Sequence, residues 1–148
     1  MKIIVAYFSV LMLVCVAQAT QKTLDERKAE AEKASGGHQA ELYSKLAERT
    51  VELANEEFTR GDSTQAQQTV QQILKFATKA HDVALSTRKK MKKVEIHLRE
   101  TQRQLENLRR TLAVDDRAPV ENVEKNLSDF RQDLLNAMFA PPKRKKHQ

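Results

Sequence analysis

Five cations stand within six residues at "RKKMKK", namely Arg88, Lys89, Lys90, Lys92 and Lys93, and four more close the chain at Lys143, Arg144, Lys145 and Lys146. Side chains gathered in this way attract phosphate polymers, anionic lipid headgroups or acidic proteins, and each contact releases condensed counterions. The plainer use is solubility, with each cation paired to an acidic neighbour on a wet helix face. Stacking on nucleic-acid bases needs aromatic rings interleaved with the charge. No aromatic residue interrupts either cluster, so nucleic acid is not the expected partner.

Other chemistry is poorly supplied. The histidines are His38, His81, His97 and His147, and no two are three or four residues apart, the spacing that puts two ligands on one helix face. A His-Glu-x-x-His motif, a nucleophile elbow and a phosphate-cradling glycine loop are all missing from the sequence, which leaves no recognisable hydrolytic or nucleotide apparatus. Adjacent carboxylates such as Glu56 and Glu57 suit solvated helix faces. The expectation is a non-enzymatic protein without catalytic residues, metal or cofactor.

Arg60, Gly61 and Asp62 spell a cell-adhesion tripeptide, yet each fits a helix corner. A cation suits the negative end of a helix dipole, glycine suits the left-handed position that ends a helix, and Asp62 with Gln65 has the form of a capping box for the next one. The tripeptide is read as a turn.

The elements that position the cations begin after an expected leader. Lys2 precedes an apolar run from Ile3 to Val16 and then Ala17, Gln18, Ala19, the form of a secretory signal cleaved after residue 19. The run is shorter than the ~20 apolar residues of a membrane span, so no integral membrane protein is expected once the leader is gone. The single cysteine, Cys15, falls inside the leader, and the mature chain would have no disulfide or thiolate chemistry. A bacterial periplasm or exterior is the expected location. Of the net charge of +6, Lys2 would leave with the leader and four charges sit in the tail, so the body nearly balances its signs.

Residues 20–37 read as a short helical arm, since "LDERKAEAEKAS" has one large apolar residue, Leu24, before Gly36 and Gly37. A helical domain is expected over 38–140. From His38 to Thr59 apolar residues recur at three- and four-residue steps opposite Glu41, Glu48, Glu52 and Glu56, which describes an amphipathic helix. Then Ala66, Val70, Ile73, Ala77, Ala80, Ala84, Thr87, Met91, Val94, Leu98, Thr101, Leu105, Leu108 and Leu112 alternate four- and three-residue steps without glycine or proline. One long helix of roughly 70 Å from Thr64 to Leu112 follows from 1.5 Å per residue, with its seam weakest at Ala84 and Thr87. In the last helix Pro119 suits the first turn, and Val120, Val123, Leu127, Phe130, Leu134 and Met138 form the stripe. Pro141 and Pro142 end it, and residues 141–148 form a basic tail expected to be disordered.

The fold class is therefore all-α, with antiparallel helical hairpins built on one long central helix. Two arrangements satisfy the seam: an open three-helix form that pairs with a second molecule, or a bend at the weak point that closes a compact bundle. In the open form Met91, Val94, Leu98, Leu105, Leu108 and Leu112 would be the association seam. Charge favours pairing the stretch from Arg88 to Arg110, with nine basic and three acidic residues, against the acidic last helix.

Gly61, Asp62 and Ala66, flanked by Leu53, Ala54, Val70 and Ile73, resemble the interior of one tetratricopeptide-type helical hairpin over about 34 residues. That resemblance implies hairpin geometry and a tendency toward protein–protein contact. The layout from "GGHQAELYSKLAERTVELANEEF" through "LRRTLAVDDRAPVENVEKNLSDFRQDLLNAMF" is similar to exported bacterial helical proteins of hypothetical status, which implies a bacterial source. The first functional expectation is association with itself or with an envelope protein. The second is a binding module for anionic cell-envelope surfaces or polymers.

Overall fold

The computed structural model describes residues 23–140, so the expected leader and basic tail lie outside the described residues. Within them the chain is all-helical, with no strand. Helix α1 covers residues 23–33, and α2 (Gly36–Thr59), α3 (Ser63–Thr87), α4 (Met91–Thr111) and α5 (Val114–Phe139) follow. The two hairpins α2–α3 and α4–α5 stack so that α2 lies against α4 and α3 against α5, while the backbones of α2 and α5 make no close approach. Of the two arrangements left open by the sequence, the chain adopts the compact bundle.

The expected single long helix is interrupted between Thr87 and Met91. Arg88 and Lys90 both take left-handed backbone angles, φ 56 and φ 61, and the chain reverses there. Ala66, Val70, Ile73, Ala77, Ala80, Ala84, Val94, Leu98, Thr101, Leu105, Leu108 and Leu112 of the seam are buried, and only Thr87 and Met91 beside the corner are half-buried. The seam thus has the expected register but closes on α2 and α5 of its own chain. Each fully buried leucine or valine in it contributes about 1.5–3 kcal/mol of apolar transfer.

At the opposite end the α2–α3 corner is a Schellman turn. Gly61, with φ 84, donates its N–H to the Phe58 carbonyl, and the Asp62 N–H bonds that of Glu57 at 2.9 Å. The capping box expected at Asp62 is not formed; its carboxylate lies 3.6 Å from Arg60 instead. The adhesion tripeptide is a tight corner with its aspartate tied back to its arginine.

Helix α5 begins five residues before Pro119, at Val114, so Pro119 falls in the second turn and not the first. Its ring nitrogen carries no hydrogen, which removes one helical hydrogen bond at that point. Asp115 and Asp116 occupy the first turn, where the dipole favours anions. Asp116 also accepts from Ser63 Oγ and Gln67 Nε2, each at 3.1 Å. These tertiary bonds to α3 hold the extra turn despite the proline.

Charge joins the hairpins as well. Arg109 on α4 meets Glu124 at 2.9 Å and Glu121 at 3.5 Å on α5, as the basic-against-acidic pattern anticipates. A second clamp runs the other way: Arg131 of α5 reaches the buried Glu95 of α4 at 3.1 Å.

Candidate functional site

The corner between α3 and α4 carries the first basic cluster. Arg88, Lys89, Lys90, Lys92 and Lys93 are all exposed. A left-handed conformation costs a residue other than glycine roughly 1–2 kcal/mol, and the chain nevertheless places Arg88 and Lys90 there. Two contacts offset part of that cost by tying the corner to other elements.

The first is under α2. Gly37 sits so close to the corner that a β-carbon on it would stand 2.7 Å from Lys89 Cβ and 2.9 Å from Lys90 Cγ. One turn further on, the buried Glu41 receives three ammonium groups, Lys45 at 3.0 Å, Lys93 at 3.4 Å and Lys90 at 3.5 Å. The hydrogen bond from Lys45, with support from Lys93, outweighs burial and holds the Glu41 carboxyl down to about 2, from an ordinary 4.5. Glu41 is thus an internal counterion that fixes where the lysines stand. Lys89 and Lys92 have no acidic partner among the described residues.

The second contact is to α5. Arg88 Nη1 donates to the Ala137 carbonyl at 3.0 Å, one of the terminal acceptors that a helix leaves without an internal partner. The corner is therefore fastened to the last turn of α5, and Lys143 follows Ala140 by three residues, a covalent reach of ~10 Å. Lys143, Arg144, Lys145 and Lys146 lie outside the described residues, yet their attachment point is at the same end of the bundle as Arg88 to Lys93.

The seam residues Val94, Leu98, Leu105, Leu108 and Leu112 are buried within the chain and Met91 is half-buried, so they are not exposed for a partner. Both interior histidines bridge helices. His81 stacks on Phe130 with centroids 4.5 Å apart, and its ring nitrogens meet Asp82 at 2.8 Å and Asp133 at 3.3 Å. His97 Nδ1 meets Glu48 at 2.6 Å. Among the described residues no group of three or more His, Cys, Asp or Glu side chains is arranged to hold a metal ion, and no helix is long and apolar enough to cross a membrane. An open cleft of about 540 Å³ lies between α2 and α4, lined by Glu48, Arg49, Glu52, Gln104 and Asn107 over a floor of Val51 and Leu108. Its lining mixes both charges, amides and the Thr111 hydroxyl.

Sequence reasoning locates the basic residues but misses their organiser. Glu41 reads as one more solvated carboxylate, and nothing in its spacing relates it to residues some fifty positions away. Phe139 is missed too, although it falls one residue off the stripe that ends at Met138, which is a usable signal. It is 81% exposed. No family model, curated protein or solved structure matches the chain.

Proposed function

We propose that the protein is a non-enzymatic helical bundle that docks on anionic cell-envelope surfaces or polymers through its basic end. The observation that carries the reading is the hydrogen bond from Arg88 to the Ala137 carbonyl, because it ties the corner cluster to the helix from which the basic tail departs. Cations fixed on one end of a rigid body act together on a charged surface, whereas the same charges spread over a helix face do not. Lys89 and Lys92, without an acidic partner among the described residues, and the conformational cost accepted at Arg88 and Lys90 support the same reading. The export leader expected from residues 1–19 would deliver the chain to such a surface. Association through the long seam is not part of this proposal, since those side chains are occupied inside the bundle.

The test is sedimentation of the mature chain with vesicles rich in phosphatidylglycerol. Binding in low salt, release in high salt and weakening on deletion of Lys143 to Gln148 are expected. Equal binding to uncharged phosphatidylcholine vesicles would contradict the reading.

A further inference from the structure

Among the described residues, the large hydrophobic side chains standing open are Ile96, Val114 and Phe139, at 41%, 75% and 81% exposure. Val114 begins α5 and so lies at the far end from the basic corner. Phe139 is different. It is the last residue of α5, two positions past the carbonyl that holds Arg88 and four before Lys143. Phe139, the most exposed aromatic ring among the described residues, therefore stands at the same end of the bundle as Arg88 to Lys93.

We infer that the basic end docks specifically on an anionic lipid bilayer, with Phe139 entering the boundary between headgroups and acyl chains while the surrounding cations engage the headgroup phosphates. The inference rests on the anionic-surface reading and narrows it to one surface. A hydrated polyanion offers an exposed phenyl ring nothing, because every part of it is polar or charged. A bilayer offers apolar depth directly beneath its negative charge, and a bulky apolar group beside a polybasic patch is the combination that holds peripheral proteins there. Lysine and arginine stems also lie comfortably at that depth with their charged heads in the headgroup layer. Docking of this kind needs no spanning helix.

The chain has no tryptophan, so Phe139→Trp introduces a single indole reporter at an exposed position where folding is not at stake. The full mature chain carrying it is mixed in low salt with phosphatidylglycerol vesicles, with and without brominated acyl chains, and separately with long-chain polyphosphate. A blue-shifted emission that bromine quenches is expected with vesicles, and an unshifted emission with polyphosphate. In parallel, Phe139→Ser should weaken vesicle binding about tenfold, as loss of a buried phenyl implies, and leave polyphosphate binding unchanged. Vesicle binding with the indole still in water overturns the insertion while the anionic-surface reading survives. An equal loss on both probes in Phe139→Ser also overturns it. Failure to bind either probe removes both readings together.

Discussion

Arg88 and Ala137 are joined by a 3.0 Å hydrogen bond from guanidinium to backbone carbonyl, across forty-nine residues of sequence. The bond caps the end of α5 and steadies the reversal between α3 and α4 at once. Replacing Arg88 with alanine should loosen both places together. Amide exchange is expected to quicken in the last turn of α5 and at Met91, with the far corner at Gly61 unaffected; quickening confined to one side would mean that the bond does not couple them.

Gly37 is under the corner with no room for a side chain. Gly37→Ala brings a β-carbon to 2.7 Å from Lys89 Cβ, a contact that backbone movement alone can relieve. A loss of about 1–3 kcal/mol is expected, read as a lower urea midpoint. Gly61→Ala should also destabilise, through its left-handed angle and without any steric contact.

Lys90 holds a left-handed angle of 61° and shares Glu41 with two other lysines. Lys90→Gly removes a backbone cost of roughly 1–2 kcal/mol and one of the three ion pairs to the buried Glu41. The urea midpoint should rise slightly while binding to anionic vesicles falls. A variant that loses stability would show that the ion pair outweighs the backbone term.

Glu41 carries the acid dependence. Its carboxyl titrates near 2 when folded and near 4.5 when unfolded, so the unfolded chain takes up its proton first as pH falls. The stabilisation is complete above about 4.5 and disappears as pH drops from 4.5 toward 2. Glu41→Gln should lower stability at pH 7 and flatten its decline across that window. An unchanged acid slope in the variant would mean that Glu41 has no part in the acid response.

Leu98 tests whether the seam is spent inside one chain. It is fully buried in α4, so Leu98→Ala should cost about 2–5 kcal/mol and act on folding, with no change in the mass measured by light scattering. A single-chain mass is expected for both proteins. Conversion of a dimer to a monomer would restore the open arrangement.

Much of this fold is legible because burial leaves a periodic trace. The seam from Ala66 to Leu112 and the stripe from Val120 to Leu134 can be read residue by residue, since each position recurs at helical spacing. The reversal at Arg88 to Lys90 does not show as a break, because neither glycine nor proline marks it and the seam spacing continues through Thr87 and Met91. Only the thinning of apolar bulk at Ala84 and Thr87 points there. The early start of α5 depends on Asp116 meeting Ser63 and Gln67, a tertiary contact with no local signature. The site follows the same division: its cations are evident as a run, whereas Glu41, Gly37 and the Ala137 carbonyl, which set them in place, come from other elements.

Docking of the basic end on anionic surfaces by charge has its sharpest test in the salt dependence of binding to phosphatidylglycerol vesicles. The proteins to compare are the chain from residue 20 onward, its Lys89→Ser/Lys92→Ser variant and the same chain lacking residues 143–148. Lys89 and Lys92 make no ion pair among the described residues, so the double substitution removes charge alone. Log affinity is expected to fall linearly with log salt between roughly 50 and 200 mM, and each variant to bind more weakly with a shallower slope. Affinity that is flat across that range, or equal in all three proteins, would refute docking by charge.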